Sequence, residues 1–167
     1  MSDAHSGSPQ PDALPAPLLR VALVDDNAPF RVALLRTLNS LQQLQVVGEA
    51  ADGENGLRLI AATHPDIVLL DIVMPGLDGW DVLEELRKRG PTPRVILLSS
   101  YMDAGLDRIA RQHGADWGVA KGEVADLIAA LEAVAATIRG EKASRIEGTA
   151  SRIEDRGSRV DEPGAGL

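Results

Sequence analysis

Between Leu18 and Arg139 the chain alternates short apolar runs with longer segments in which apolar residues recur at helical spacing. The runs are RVALV (20–24), QVVGEA (45–50), DIVLL (66–70), RVILLS (94–99) and DWGVA (116–120). Each has strand length and is bounded by acidic residues, glycine or proline, as buried strands are. After the first run, Asn27 is placed to cap a helix with Pro29 in its first turn. Leu34, Leu35, Leu38 and Leu41 then form that helix's apolar face. Further helices are expected over 54–63 after the Asp52-Gly53 turn, over 80–89, over 103–113 ending at Gly114, and over 123–138. Asp52, Asp78 and Asp103 read as turn or capping residues.

Five strand–helix units in strict alternation predict an α/β fold: a doubly wound five-stranded parallel sheet, flavodoxin-like, in a single domain. The third and fourth runs have no polar alternation, as expected of strands covered by helices on both faces. Right-handed crossovers leave few topologies open.

The flanks differ in character. Residues 1–17 hold four prolines among small polar residues and read as a disordered lead-in. The predicted domain occupies 18–139. Residues 140–167 form a polar tail carrying SRIE (144–147), SRIE (151–154) and SRVD (158–161) at a spacing of seven. Ala143, Ala150 and Gly157 stand three residues before Ile146, Ile153 and Val160, imitating a heptad seam. Gly140, Gly148 and Gly157 oppose helix. The expectation is a mostly disordered tail, with a short oligomerising helix as the alternative. The 28 residues after 139 are too few for a three-helix DNA-binding module.

Charge narrows the partners. Seventeen basic against 25 acidic residues give −8, with no global attraction to nucleic acid or anionic membrane. The absence of cysteine excludes disulfides, thiolate metal sites and cysteine nucleophiles. No apolar stretch reaches the roughly 20 residues that span a bilayer, and the N-terminus lacks a secretory pattern, so the cytoplasm is expected.

Functional residues in doubly wound sheets gather at the carboxyl ends of strands. Here those ends carry Asp25 and Asp26, Asp71, Ser99 and, just after the fifth run, Lys121. Three converging carboxylates repel one another unless a cation lies between them, and oxygen ligands suit Mg²⁺. A carboxylate can also act as a nucleophile and become an aspartyl-phosphate. An ammonium such as Lys121 and a hydroxyl such as Ser99 can stabilise charge on a transferring phosphoryl group.

VALVDDN (21–27), VLLDIVMPGLDGW (68–80), VILLSS (95–100) and GADWGVAKG (114–122) together resemble the receiver domain of bacterial two-component response regulators. The resemblance covers roughly 18–139. VVGEAADGENGL (46–57) is most similar to receivers that precede a LuxR-type DNA-binding domain. It implies that Asp71 is the phosphoacceptor, with Mg²⁺ as the cofactor. Asp26 would bind the ion directly, Asp25 mainly through water, and Val73 through its backbone carbonyl. Ser99 matches the switch hydroxyl and Lys121 the lysine that contacts the phosphoryl group. Pro75 and Gly79 would shape the loop after the acceptor strand, glycine by permitting positive φ.

The implied function is a stand-alone receiver, not an enzyme beyond its own phosphorylation and dephosphorylation. A histidine kinase or histidine phosphotransfer protein would donate to Asp71. The event would switch a surface that binds a downstream target or forms a homodimer, without direct DNA or membrane binding. Rival readings are a phosphorylation-independent scaffold and a Mg²⁺-dependent aspartyl-phosphate hydrolase. Such hydrolases typically carry a second Asp two residues after the nucleophile, where Val73 stands here. Val73 offers no polar group to orient water and Tyr101 could screen the site, so slow self-dephosphorylation is expected. Two departures from the family stand out: Gly118 occupies the place of its aromatic switch residue, with Trp117 one residue earlier, and Gly122 replaces a common proline after the lysine. Strand alternation sends Trp117 to the face opposite Gly118.

Overall fold

The computed structural model describes residues 17–90, 93–101 and 105–157, with side chains described as far as Ile146. Most of the proline-rich lead-in, Asp103 and the SRVD repeat lie outside the described residues.

All five apolar runs are strands: β1 (Leu19–Val24), β2 (Leu44–Ala50), β3 (Ile67–Asp71), β4 (Arg94–Ser99) and β5 (Trp117–Ala120). They alternate with α1 (Ala28–Ser40), α2 (Gly53–Thr63), α3 (Gly79–Lys88), α4 (Leu106–Gln112) and α5 (Val124–Gly157). The strands pair in parallel in the order β2-β1-β3-β4-β5. This is the predicted flavodoxin-like sheet.

Capping follows the sequence closely. The Asn27 side chain accepts from the Phe30 N–H at 2.9 Å, and Pro29 lies in the first turn of α1. Asp52 caps α2 through the Asn55 N–H. Asp78 and Asp81 form a reciprocal capping box on α3. His64 and His113 are the C-caps of α2 and α4.

Period two decides which strand residues face which helices. Leu23, Ile67, Leu69, Ile96 and Leu98 pack with Leu34 and Leu38 of α1 and Leu127, Leu131 and Val134 of α5. Val24, Val68, Leu70, Val95 and Leu97 pack with Leu57 and Ile60 of α2, Val82 and Leu86 of α3, and Ala110 of α4. Every residue of β3 is buried, as expected of a central strand covered on both faces.

The tail departs from expectation. The predicted disordered segment from 140 is instead helical to Gly157, as the continuation of α5. Gly140 and Gly148 each cost up to about 1 kcal/mol against alanine. That penalty is met because the helix needs no new nucleus: its proximal half is already packed on the sheet. Two cross-links extend the anchorage past Gly140. Arg94 pairs with Glu141, and Lys142 Nζ lies 2.9 Å from Asp66 Oδ1. No helix among the described residues is long and apolar enough to cross a membrane.

Candidate phosphoacceptor site

The central strands β1 and β3 pair side by side, so their ends deliver Asp25, Asp26 and Asp71 to one place. Ligand oxygens of the three carboxylates all lie within 4.8 Å of one another. Asp25 is fully buried, Asp71 is 2% exposed and Asp26 is open to solvent. Both acids follow the end of β1 at Val24, but the Asp25 N–H still donates to the Ala50 carbonyl of β2 at 3.0 Å, whereas Asp26 already lies in the bend before α1.

Asp25 and Asp71 are oriented by backbone. The Asn27 N–H donates to Asp25 Oδ1 at 2.8 Å, and the Val73 N–H reaches Asp71 Oδ1 at 3.3 Å. Arg31 Nη1 donates to the Asp25 carbonyl at 2.7 Å, which fixes the strand end to α1.

Lys121 lies between the two buried acids. Its Nζ is 2.7 Å from Asp25 Oδ2 and 2.9 Å from Asp71 Oδ2. The Phe30 ring backs the ammonium at 4.9 Å. Its backbone is anchored without a following proline: the Lys121 N–H donates to the Ser99 carbonyl at 2.8 Å. Burial pushes the Asp71 carboxyl up and the Asp25 charge adds to this, while Lys121 opposes both; the result is about 6. Burial works to lower the Lys121 pKa, but its hydrogen bonds to Asp25 and Asp71 leave the ammonium held above its ordinary range.

Ser99 closes β4 and is 5% exposed. Its hydroxyl oxygen accepts from the Tyr101 N–H at 3.1 Å. Val73 and Tyr101 are exposed at 58% and 71%, forming an apolar rim at this end of the sheet. All the site residues expected from sequence therefore lie at one edge of the fold. Phe30 is the member sequence reasoning missed; its spacing in α1 looks like that of any core residue.

Gly79 has a different role from the one expected. Its φ is not positive; Gly76 is the loop residue in that region, at 78°. A Cβ on Gly79 would come within 2.3 Å of the Asp71 carbonyl oxygen, so glycine is required for close approach of α3 to the acceptor strand. Gly118 is similar. A Cβ there would meet the Leu106 carbonyl oxygen at 2.9 Å and the Ala110 Cβ at 3.0 Å. The Gly118 N–H donates to Asp107 Oδ1 at 3.2 Å. Helix α4 thus sits directly on the β5 backbone where the family carries its aromatic ring. Trp117 packs with the opposite core and carries the Arg111 guanidinium 4.3 Å above its ring.

Known proteins are similar to this chain in sequence and in fold. A protein-glutamate methylesterase/protein-glutamine glutaminase of Burkholderia thailandensis is 36% identical over 138 residues, 80% of this chain and 39% of that protein. The transcriptional regulatory protein LiaR of Bacillus subtilis is 36% identical over 86 residues, 52% of this chain and 41% of that protein. The chain thus spans less than half the length of either. The solved structure of a LuxR-family two-component response regulator from Aurantimonas sp. SI85-9A1 superposes with a TM-score of 0.67 at 30% identity, covering 72% of this chain and 86% of that one. Residues 21–132, which run from β1 into α5 and enclose every acid, hydroxyl and ammonium described above, match the response regulator receiver domain. With the sheet order and the strand-end acids in agreement with that match, the chain belongs to the receiver domain family of two-component response regulators.

Proposed function

We propose that Asp71 accepts a phosphoryl group from a phosphohistidine on a histidine kinase or phosphotransfer protein. The observation that carries this reading is the contact set of Asp71: a buried carboxylate with an ammonium at 2.9 Å and two further acids alongside. An Asp71 oxygen forms the new bond to phosphorus while the phosphorus–nitrogen bond to the donor imidazole breaks, and that nitrogen leaves with the bonding pair.

The Val73 N–H and Lys121 hold Asp71 in place, so little reorganisation accompanies attack. Lys121 offsets charge on the transferred group, and Ser99 supplies a hydroxyl at the neighbouring strand end. The donor set is entirely oxygen, which fits a hard divalent cation: Asp25, Asp26, Asp71 and the Val73 carbonyl would hold Mg²⁺. When bound, that ion supplies the positive charge that balances the acids and the incoming phosphoryl oxygens.

The surface formed by α4, β5 and α5 is the proposed contact for a downstream protein, since β5 adjoins the Ser99 strand end. The test is intact-mass measurement after incubation with Mg²⁺ and acetyl phosphate or phosphoramidate. Gain of one phosphoryl group by the wild type and none by Asp71→Ala is the expected result. Equal gain by the variant would move the acceptor elsewhere, and no gain by either would remove the reading.

A further inference from the structure

We propose that the cleft between the α1–β2 turn and α5 is a binding site for a small amphipathic carboxylate. Arg139 holds the charged end of the ligand, and the leucines of the cleft hold its apolar body.

The cleft lies at the edge of the sheet where β2 begins, opposite the edge that carries Asp71. It encloses about 300 Å³, at the lower end of the range for small-molecule sites. Its lining is largely apolar: Leu41 and Leu44 come from the turn, and Leu131 and Ala135 from α5.

Both walls are fixed before any ligand arrives. In the turn, the Leu41 N–H donates to the Leu38 carbonyl at 3.0 Å and the Leu44 N–H to the Leu41 carbonyl at 3.1 Å. The Leu19 N–H donates to the Gln43 carbonyl at 3.1 Å, which ties the turn to β1. The opposite wall belongs to the half of α5 that packs on the sheet, where Leu131 and Ala135 are buried. A ligand therefore enters without ordering a segment of chain, which favours binding.

Arg139 supplies the sign of the ligand. Among the described residues, three buried side-chain atoms make no hydrogen bond: Asp25 Oδ2, Arg31 Nε and Arg139 Nε. The first faces the Lys121 ammonium at 2.7 Å, and the second faces Glu49 at 3.6 Å. Arg139 Nε has neither a hydrogen bond nor an ion pair with any described residue. A charged donor withdrawn from water without an acceptor is unfavourable. A carboxylate in the cleft corrects this, because a guanidinium presents its Nε–H and an adjacent Nη–H side by side to two carboxylate oxygens.

Glu132 limits what the other end of the ligand can be. It lines the same cleft seven residues before Arg139, about 10 Å away along the helix axis, and is exposed. Its charge opposes a second negative group there. Gln42 completes the mouth with a neutral, exposed side chain. The cleft is thus matched to a monoanion with a short apolar body. This inference does not rest on the chemistry of Asp71, and its test uses unphosphorylated protein.

The experiment is calorimetric titration of the full chain near neutral pH with three probes of one chain length: octanoate, neutral 1-octanol and the dianion suberate. Octanoate is expected to bind one-to-one with a Kd of about 1 mM or tighter. The other two should each bind roughly tenfold more weakly or worse. Arg139→Gln should weaken octanoate by roughly tenfold and leave 1-octanol unchanged. Glu132→Gln, a change at an exposed position, should bring suberate to within about threefold of octanoate. Amide NMR shifts on adding octanoate should centre on residues 41–44 and 131–139. No saturable binding of octanoate, equal binding of 1-octanol, shifts centred elsewhere, or unchanged octanoate affinity in folded Arg139→Gln would overturn the proposal. If Arg139→Gln does not fold, Glu132→Gln decides, and undiminished rejection of suberate by that variant overturns it.

Discussion

Replacing Gly118 tests whether α4 is fixed on the sheet by backbone contact. Gly118→Ala adds one methyl group, whose carbon would stand 2.9 Å from the Leu106 carbonyl oxygen and 3.0 Å from both the Leu106 carbonyl carbon and the Ala110 Cβ. Two of these three neighbours are backbone atoms of α4, so no side-chain rotation relieves the crowding. The helix must move by a few tenths of an ångström, an overpacking cost of about 1–3 kcal/mol. Alanine returns about 0.4–1 kcal/mol by restricting the unfolded chain, since φ at Gly118 is not positive. The net expectation is a loss of about 1–2 kcal/mol, which for a domain of this size lowers Tm by roughly 3–10 °C. Gly118→Phe, which installs the family's aromatic, should cost more, because the ring requires the space that α4 occupies. It should also break the Asp107–Gly118 hydrogen bond and part the Arg111–Trp117 contact. Calorimetric melting of the three proteins at one pH decides the matter. A Gly118→Ala protein as stable as wild type, or Gly118→Phe more stable than Gly118→Ala, would refute a close-packed α4.

Four further outcomes are expected. Asp71 has its folded pKa raised from 3.8 to about 6, so without metal its contribution to stability is present in full below about pH 4 and is lost as pH rises through 6. The loss is on the order of 3 kcal/mol. Urea titrations in EDTA should show wild type losing stability across that window relative to Asp71→Asn; parallel pH profiles would contradict the assignment. Gly79→Ala should destabilise by about 2 kcal/mol or more and impair phosphorylation of Asp71, because the new methyl meets the Asp71 carbonyl at 2.3 Å; a normal phosphorylation rate would show that the loop yields cheaply. Phe30→Ala removes the ring beneath Lys121 and should slow phosphorylation severalfold while leaving Mg²⁺ affinity, measured by calorimetry, near wild type. Phosphorylated protein freed of donor should lose its label slowly, since Val73 places no polar side chain at the rim, and decay within seconds would contradict this.

Much of this molecule is legible in one dimension. Burial on both faces requires continuous apolar strands, and DIVLL and RVILLS are such strands in the structure. Caps are local by nature, so Asn27, Asp52 and Asp78 can be read from their own neighbourhoods. The acids, Ser99 and Lys121 were legible because a parallel α/β sheet sends every strand end to the same edge, whatever the strand order. Their contacts were not, because they depend on which strands are neighbours and where each one stops. The order β2-β1-β3-β4-β5 sets Lys121 between Asp25 and Asp71, and the end of β1 leaves Asp25 buried and Asp26 open. Glycine was the hardest residue to read. At Gly79 and Gly118 the reason for it is an atom of another segment within 3 Å, which no local rule contains. At Gly140 and Gly148 local propensity argues against helix, yet α5 continues through both, held by its packing on the sheet and by ion pairs from Glu141 and Lys142. Local chemistry fixed the elements and the starts of the first three helices; long-range packing decided their neighbours, their burial and how far the last helix runs.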